Sequence, residues 1–463
     1  MLHTLKVYKV HQPVELVYDE AGLRITGDLH AHKKPKAGRT CGCIPLPPPK
    51  VSDPTLLPID NTNLLQVLYN DQTHMIQIHA IIPQQPDKVD SPVDLYKFIY
   101  SVEKGQEQDC IDFCTTVMTG AYKGLLTKKR LKVLINPFGG QGKAKQIFES
   151  QVRPVFDAAR CSVDVQYTEY QGHAIKIAQD LDIQSYDAIV TVSGDGVIHE
   201  VVNGFLQRPD ARQAIRKVPL GVIPGGTGNA LSICMLGEKQ GFDPVMAAVQ
   251  IIKGRSLALD LCSVTYDDHR YFSFLSQNYG ITSYADLGTE SMRWMGDART
   301  VLGLLKEIMS GNSYGMEAAV HIVEDNKETI QSQYESAHTS ATWIELAESG
   351  DGEDHRVVDT IPALTESVPE DWTKIDGKIS FFLASKTPLL ARGMLSHPYA
   401  LPNDGLLDLL LVRGNYGVMK QLGVFDKVEK GDHLDSKIVR QLYKDNFFFK
   451  KKKIHSLSLF LFG

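Results

Sequence analysis

The 463-residue chain lacks any run approaching 20 apolar residues, so no segment has the pattern of a membrane-spanning helix. Its first residues lack the apolar core of a signal peptide. Its seven cysteines form no array of Cys and His pairs, which argues against a disulfide framework and against a metal site built from such pairs. Positive charge is not in excess, since the formal net charge is -6, and nucleic acid is therefore not expected as a partner. Together these absences predict a cytoplasmic protein, soluble or peripherally associated with intracellular or plasma membranes.

The first region predicted is residues 1–125. Short β-prone runs separated by turn-rich segments, with a closing helix, predict a small β-rich region similar to a pleckstrin-homology fold. Cys41 and Cys43 lie there beside a proline-rich, apolar loop. Two neighbouring surface cysteines can be S-acylated and hold a protein at a membrane, and the alternative is a pair of unmodified thiols.

Residues 126–256 alternate between strand and helix patterns, which is typical of a parallel, Rossmann-like α/β nucleotide-binding domain. Pro154 is expected to kink one of its helices, and Asp243 with Pro244 predicts the start of another. Three of the predicted strands, at 132–135, 188–192 and 218–223, each end in a glycine-rich loop.

Residues 257–442 predict a mainly antiparallel β-rich domain. A helix is predicted over 291–310, and an acid-rich insertion at about 324–375 is expected to be disordered. Residues 443–463 form an atypical tail with runs of Phe and Lys. This tail indicates either a basic and apolar membrane-binding segment or the product of a read-through intron or a frameshift.

The three glycine-rich loops predict a phosphate site. The carboxyl ends of parallel strands meet at one edge of a sheet, so the loops should form a single cradle of backbone amides for a polyphosphate. Asp195, within Ser193-Gly194-Asp195-Gly196, is the only carboxylate in the loops. It is either the general base of a phosphoryl transfer or a group that organises Mg²⁺, and in isolation this tetrapeptide also fits a simple turn with a helix cap.

The loops fit neither of two common nucleotide motifs. Ala144 follows Lys143 where a P-loop needs Ser or Thr, and His199 stands where the Rossmann fingerprint needs its third glycine. Instead, the motifs from Asn136, Ser193 and Pro224 onward resemble those of the diacylglycerol-kinase catalytic superfamily and, within it, the fungal sphingosine (sphingoid long-chain base) kinases. The resemblance extends over residues 131–441.

This resemblance implies ATP and Mg²⁺ as cofactors and a role for each of several residues. Asp195 would be the general base, and the acceptor would meet Ser193, Gly194 and Gly196. Asp286 would pair with the amino group of the sphingoid base, the alternative being a helix cap near the 291–310 helix. The residues that would contact ATP are Asn136, Pro137, Phe138, Gly139, Gly140, Gly142, Thr168, Glu200, Gly226, Thr227, Gly228, Arg293 and Arg299.

The function implied is ATP-dependent phosphorylation of the primary hydroxyl of sphingosine, sphinganine or phytosphingosine. A sphingoid-base lipid and a peripheral membrane surface would be the partners. Two alternatives stay open, namely a catalytically weakened lipid-binding or membrane-adaptor protein and a diacylglycerol or ceramide kinase. The family's Asp-Gly-Glu segment, which closes over ATP, does not follow Gln441, so the second domain is expected to lack its closing strands.

Overall fold

The chain divides into two compact units in the computed structural model. The first unit comprises Met1–Lys129, Glu149–Ser162 and Ala248–Gly254, and the second comprises Arg130–Phe148, Val163–Ala247 and Arg255–Gly463. Within these units the structure describes residues 2–27, 58–85, 91–140, 142–226, 228–266, 269–289, 292, 295, 298–339, 369–414, 416–451 and 454–462. No helix of the described residues has both the length and the apolar character needed to cross a bilayer.

The first unit contains a six-stranded antiparallel sheet and one long helix, α1 (Glu107–Tyr122). Its strands are β1 (His3–Lys9), β2 (Gln12–Asp19), β3 (Gly22–Thr26), β4 (Leu64–Asn70), β5 (Met75–Pro83) and β6 (Val93–Ser101). They lie in the order β3-β2-β1-β6-β5-β4. Leu5 and Val7 are buried while Thr4 and Lys6 are exposed, so β1 shows the alternation of a strand with one face on a core.

One lysine is buried in this unit. The ammonium group of Lys253 donates hydrogen bonds to the carbonyl oxygens of Asn61 (3.1 Å) and Ala121 (2.9 Å). It also lies 3.6 Å from the centroid of the Tyr122 ring. Burial lowers the pKa of Lys253 to about 7, because removal from water disfavours the charged form.

The second unit begins with a four-stranded sheet in the order β10-β9-β7-β8. Its strands are β7 (Arg130–Ile135), β8 (Ser162–Tyr167), β9 (Ala188–Ser193) and β10 (Leu220–Pro224). β7 and β10 both pair in parallel with β9, which confirms the predicted parallel sheet. All six residues of β9 are buried, which explains why its sequence is mostly apolar and does not alternate with exposed polar residues.

Helices alternate with these strands along the chain. They are α2 (Ala144–Ile147), α3 (Arg153–Ala158), α4 (His173–Asp180), α5 (Asp195–Leu206), α6 (Ala211–Lys217), α7 (Ala230–Gln240) and α8 (Pro244–Lys253). Ile177 of α4 and Val201 and Phe205 of α5 pack in one buried cluster with Leu134 and Ile189 of the sheet. The apolar side of α5 therefore packs against the sheet.

Both predicted helix signals are confirmed. Between α2 and α3 the chain forms a π-helical turn, Phe148–Val152, directly before Pro154. Proline cannot donate the backbone hydrogen bond of a continuous α-helix, so the helix departs from α geometry there. α8 begins at Pro244, and Asp243 caps it by accepting the Val245 N–H at 2.8 Å.

The remainder of the second unit is built on an antiparallel sheet, as predicted. Its strands are β11 (Leu261–Tyr266), β12 (His269–Ser273), β13 (Ser276–Gly280), β14 (Tyr314–Glu324), β15 (Thr373–Ser385), β18 (Leu407–Arg413), β19 (Val439–Lys451) and β20 (Ile454–Phe462). They follow the order β12-β11-β20-β19-β14-β15-β13, and β18 pairs with β15 and β19. A separate hairpin consists of β16 (Leu389–Ala391) and β17 (Met394–Leu395).

The helices of this part are α9 (Ile281–Gly288), α10 (Ala298–Met309), α11 (Lys327–Thr339) and α12 (Val418–Phe425). Three of them, α9, α10 and α12, share a buried cluster that includes Ile281, Leu304 and Ile308, with Val418 packed against it. This cluster makes them one helical layer.

Three expectations need correction. The helix predicted over 291–310 begins only at Ala298. The insertion predicted to be disordered contains α11, which starts where the Asn326 side chain accepts the Thr329 N–H and which buries Ile330. The tail supplies closing strands after all, because the backbone of β19 pairs with β14 and β18, and that of β20 pairs with β11.

Lys253 predicts a pH dependence of stability. The unfolded lysine binds its proton up to about pH 10.4, while the folded one releases it near 7, so the free energy of unfolding should rise with pH across this window. Lys253→Met removes this contribution, so the free energy of unfolding of the wild type should rise by about 3–4 kcal/mol relative to this variant between pH 7 and 10. Urea unfolding at several pH values measures it, with Lys104→Met in an exposed turn as control. Parallel pH profiles of wild type and Lys253→Met would contradict the assignment.

Candidate active site

Three glycine-rich loops meet at the carboxyl ends of β7, β9 and β10. A β-carbon added to Gly226 would lie 2.4 Å from the Cα of Gly194. One added to Gly140, whose φ is +58°, would lie 2.9 Å from both the Gly225 carbonyl oxygen and the Gly226 Cα. Any side chain at these contacts would push the backbones apart, so glycine is required. The loops therefore share one edge of the sheet, as their positions in the sequence predict.

Asp195 joins two of these loops. It is the first residue of α5, and its carboxylate accepts the N–H groups of Ala230 (Oδ2, 2.9 Å) and Leu231 (Oδ1, 3.2 Å) at the start of α7. The side chain keeps partial access to solvent. Desolvation by the surrounding protein raises the pKa of Asp195 above the ordinary carboxyl value, and the two N–H donors oppose this rise.

The loop between β10 and α7 is held by its own asparagine. Asn229 adopts a left-handed conformation with φ of +55°. Its Nδ2 donates to the Gly226 carbonyl oxygen at 2.8 Å, and its Oδ1 accepts the Gly226 N–H at 3.1 Å. In the first loop, Asn136 Oδ1 similarly accepts the Phe138 N–H at 3.0 Å, and the Phe138 ring is exposed. Each loop is thus fixed by a side-chain amide before any ligand binds.

Two further residues assigned to ATP lie beside the start of α4. The Thr168 N–H donates to the carbonyl oxygen of Ile135, the last residue of β7, at 2.9 Å. Glu200 of α5 reaches across, and its Oε2 accepts the Ala174 N–H in the first turn of α4 at 3.1 Å. Gly172, with φ of +88°, precedes that helix. Thr168 and Glu200 are therefore connected to the cradle through β7 and α5.

The arrangement suits a polyphosphate and a proton acceptor. Glycine backbones in close contact leave amides accessible to an anion, and the first turns of α5 and α7 add the positive ends of their helix dipoles. Among the described residues, no three His, Cys, Asp or Glu side chains lie close enough to bind a metal ion by themselves. Mg²⁺ in phosphoryl-transfer sites is commonly held by one or two carboxylates plus substrate phosphates, and Asp195 is placed to be such a carboxylate.

Known proteins share this arrangement of motifs. The family model described as diacylglycerol kinase catalytic domain matches residues 130–264. Sphingoid long chain base kinase 4 of Schizosaccharomyces pombe is 35% identical over 328 residues, which cover 70% of this chain and 68% of that protein. The chain belongs to the sphingoid-base kinase family. Sphingoid long chain base kinase 5 of Saccharomyces cerevisiae is 31% identical over 78% of this chain and 60% of its own length.

More distant relatives follow the same pattern. Human sphingosine kinase 1 is 32% identical over 68% of this chain and 80% of its own length. A solved diacylglycerol kinase from Bacillus anthracis covers 72% of this chain at 15% identity, with a TM-score of 0.44. The sequence relatives confirm, at the level of the family, the resemblance read from the loop motifs.

Several residues that the family resemblance singles out are placed only in part. Asp286 lies inside α9, which ends at Gly288. Its side chain, and that of Arg299 in α10, lie outside what the structure describes. The remaining assigned positions that lie outside the described residues are Cys41, Cys43, Thr227 and Arg293.

The structure adds a contact of Asn203 that the sequence did not reveal. This residue lies in α5, two turns after Asp195, and its side chain is buried. Its Nδ2 donates to the Phe272 carbonyl oxygen, and its Oδ1 accepts the Phe272 N–H, both at 2.8 Å. Asn203 therefore anchors β12 of the antiparallel sheet to the helix that carries Asp195. The sequence signal for this contact was Asn203 itself, a polar residue among the apolar residues of α5.

A second unexpected feature is the buried ion cluster of Lys386, Asp260 and Asp404. The Lys386 ammonium is fully buried and lies 3.0 Å from Asp260 and 2.7 Å from Asp404. Asp260 Oδ2 also accepts the Gly405 N–H at 2.7 Å. Two carboxylates on one ammonium form a strong but mutually dependent arrangement, because removing any member leaves an uncompensated buried charge.

The Lys386 cluster fixes a segment that contacts α7. Three residues after Lys386, the Leu389 carbonyl oxygen accepts the Cys234 thiol of α7 at 3.3 Å. In the hairpin that follows, the Gly393 N–H donates to Glu238 of α7 at 2.6 Å. α7 is thus held at its start by Asp195 and along its length by the antiparallel part of the unit.

The close contact at Gly226 gives a test of the cradle. Gly226→Ala should destabilise the protein by about 1–3 kcal/mol, because its methyl group would overlap the Gly194 backbone. Gly196→Ala is the matched control, since a β-carbon there meets nothing within 4 Å and alanine favours the helix that contains it. Denaturant unfolding of both variants measures the effect. Equal stability of the two variants would mean that the loops are not in contact.

Proposed function

We propose that this protein is an ATP-dependent kinase that transfers the γ-phosphoryl group to the primary hydroxyl of a sphingoid long-chain base. The observation that carries the proposal is the Asp195 carboxylate where three glycine loops converge. The family membership supports it, because the matched relatives carry the names sphingoid long chain base kinase and sphingosine kinase.

Phosphoryl transfer needs positioning and charge stabilisation more than covalent help from the protein. The amides of the loops around Gly140, Gly194 and Gly226 would hold the phosphates, and Asn136 and Asn229 keep these loops in place before binding. Mg²⁺, when bound, neutralises charge on the phosphates. Thr168, Glu200 and the exposed Phe138 would contact the rest of ATP.

Asp195 would accept the proton of the attacking hydroxyl. Its raised pKa makes it a stronger base than an ordinary carboxylate, while the N–H groups of Ala230 and Leu231 keep it ionised and oriented. Ser193, Gly194 and Gly196 flank it on the side where the acceptor would enter.

The amino group of the acceptor would be recognised by Asp286. A charge-assisted hydrogen bond to a desolvated ammonium would favour an amino lipid over diacylglycerol by roughly 1.5–3 kcal/mol, about tenfold or more. Arg293 and Arg299 would reach the ATP phosphates from the segment that follows. The apolar tail would be buried in the antiparallel part of the unit, at about 0.8 kcal/mol per CH₂ group.

Purified full-length protein should phosphorylate sphinganine in mixed micelles with Mg-ATP, and do so at least tenfold more efficiently than ceramide or diacylglycerol. Asp195→Asn should lower kcat by about 10²–10⁴-fold, since the base is lost. Asp243→Asn is the matched control, because Asp243 also caps a helix through two N–H groups, of Val245 and Met246, and asparagine caps equally well.

Three outcomes of this assay would count against the proposal. Transfer to no lipid would favour a lipid-binding adaptor over a kinase. Equal transfer to diacylglycerol would refute the role of Asp286. Full activity of Asp195→Asn would show that another group acts as the base.

A peripheral membrane surface is the proposed second partner. The layer of α9, α10 and α12 buries its inner face, yet several large apolar side chains point outward. Exposed large apolar side chains on and beside one helical layer are typical of a membrane or protein contact, and a long-chain amine is itself resident in a bilayer. The exposed side chains are Leu287, Met292, Val301, Leu302, Met309 and Met419.

Vesicle binding tests this surface. Val301→Glu with Leu302→Glu should reduce sedimentation with phosphatidylcholine vesicles about tenfold or more, because two charges would enter the apolar interface. Turnover of sphinganine presented below its micelle-forming concentration should persist. Leu126→Glu is the control, since Leu126 is 55% exposed against 48% for Leu302 and lies in the other unit. Equal loss of vesicle binding in both variants would contradict the assignment.

A further inference from the structure

A groove runs between β1 and α1 in the first unit. Its volume is about 390 Å³. One wall is the strand segment from Leu2 to Lys6, and the other is a single face of α1 that carries Gln106, Asp109, Asp112, Phe113 and Thr116. Five strand residues span about 17 Å, and the helix from 106 to 116 rises about 15 Å, so the walls match in length.

The strand wall presents backbone groups to the groove. The two-residue turn after Lys9 makes Lys9 and Gln12 a hydrogen-bonded pair of β1 and β2. From Lys9 back toward His3, hydrogen-bonded pairs alternate with non-hydrogen-bonded pairs. Leu5 is in a hydrogen-bonded pair, so its N–H and C=O groups face β2. Those of Thr4 and Lys6 face the opposite way, toward the groove.

No strand within the described ranges pairs with this edge. β6 is the neighbour of β1 in the sheet, but the two strands pair only at Tyr8 and Ser101. They therefore separate before reaching Lys6, and the seam between them opens into the groove. The helix wall has an unmet acceptor as well, because Gln106 Oε1 is buried and accepts no hydrogen bond from the described residues.

The charge of the helix wall indicates the kind of ligand. Asp109 and Asp112 are three residues apart on one face of α1 and both are exposed. Phe113 beside them is buried and offers an apolar base. Unpaired strand groups select an extended backbone, and two carboxylates favour basic side chains on it.

We propose that this groove binds an extended peptide with basic side chains, which pairs as a further strand with residues 2–6 on the side away from β2, where no described strand does. The inference concerns the first unit alone and does not depend on the kinase reaction. It assigns a protein partner, recognised by its backbone at Thr4 and Lys6 and by its charge at Asp109 and Asp112.

A synthetic probe tests the proposal on the full-length chain. A fluorescent hexapeptide alternating valine with lysine or arginine should bind, and its analogue with glutamate and aspartate at the basic positions should bind at least tenfold more weakly. Hydrogen–deuterium exchange should slow across residues 2–8 when the basic peptide is bound, because Thr4 and Lys6 N–H groups become hydrogen-bonded.

Variants separate the strand edge from the side chains. Lys6→Pro removes an N–H that faces the groove and should weaken binding about three- to tenfold, whereas Lys6→Ala keeps that N–H and should change it less than twofold. Asp109→Asn with Asp112→Asn should reduce the preference for the basic peptide, and Asp71→Asn in an exposed turn should leave it unchanged.

Hydrogen–deuterium exchange on the wild-type protein tests the proposal even if Lys6→Pro fails to fold. Unchanged exchange over residues 2–8 at saturating peptide would overturn it. Equal weakening by Lys6→Ala and Lys6→Pro would also overturn it, because the side chain rather than the strand edge would then be the contact.

Discussion

The interaction on which the second unit depends is the pair of hydrogen bonds from the Ala230 and Leu231 N–H groups to the Asp195 carboxylate. It connects the loop after β9 to the helix after β10, so two of the three phosphate loops move as one body. The same contact brings Gly226 against Gly194, which leaves no room for a side chain at Gly226. The Asp195 carboxylate thus holds two of the loops together, and in the proposed mechanism the same group accepts the proton.

These two roles of Asp195 make opposite demands, and the surroundings meet both. A helix cap is best when the carboxylate is ionised, while a general base is best when its pKa approaches the working pH. Desolvation raises the pKa, and the two N–H donors hold the ionised form in place. Without the two N–H donors, the Asp195 carboxylate would be a stronger base but would not be held in position. With full solvation, it would be held in position but would be only weakly basic. The contact between α7 and the segment after Lys386 restrains the donors themselves.

The sequence allowed the cradle to be predicted because its signals are local. Each signal can be recognised within a few residues of sequence. The signals are glycines directly after buried strands, a carboxylate between two glycines, and an Asp-Pro pair at a helix start. Lys386 could not be found in this way, because its partners Asp260 and Asp404 are distant in the sequence and any of the three alone resembles a surface charge. Lys253 at the end of α8 is a similar case, since only the fold brings it to Asn61 and Ala121. The helix α11 was missed because its composition is polar, and Ile330 is the only buried residue among its described side chains.

The family match ends within the second unit. The diacylglycerol kinase catalytic model covers residues 130–264, which include the three loops, Asp195 and Glu200 but none of α9 or α10. In the proposed mechanism, phosphate binding therefore lies within the matched residues, while recognition of the acceptor's amino group by Asp286 lies beyond them. Asn203 ties the two parts together, because it holds the β12 backbone on the helix that begins with Asp195. The position of Asp195 is therefore coupled through α5 to the first strands of the antiparallel sheet.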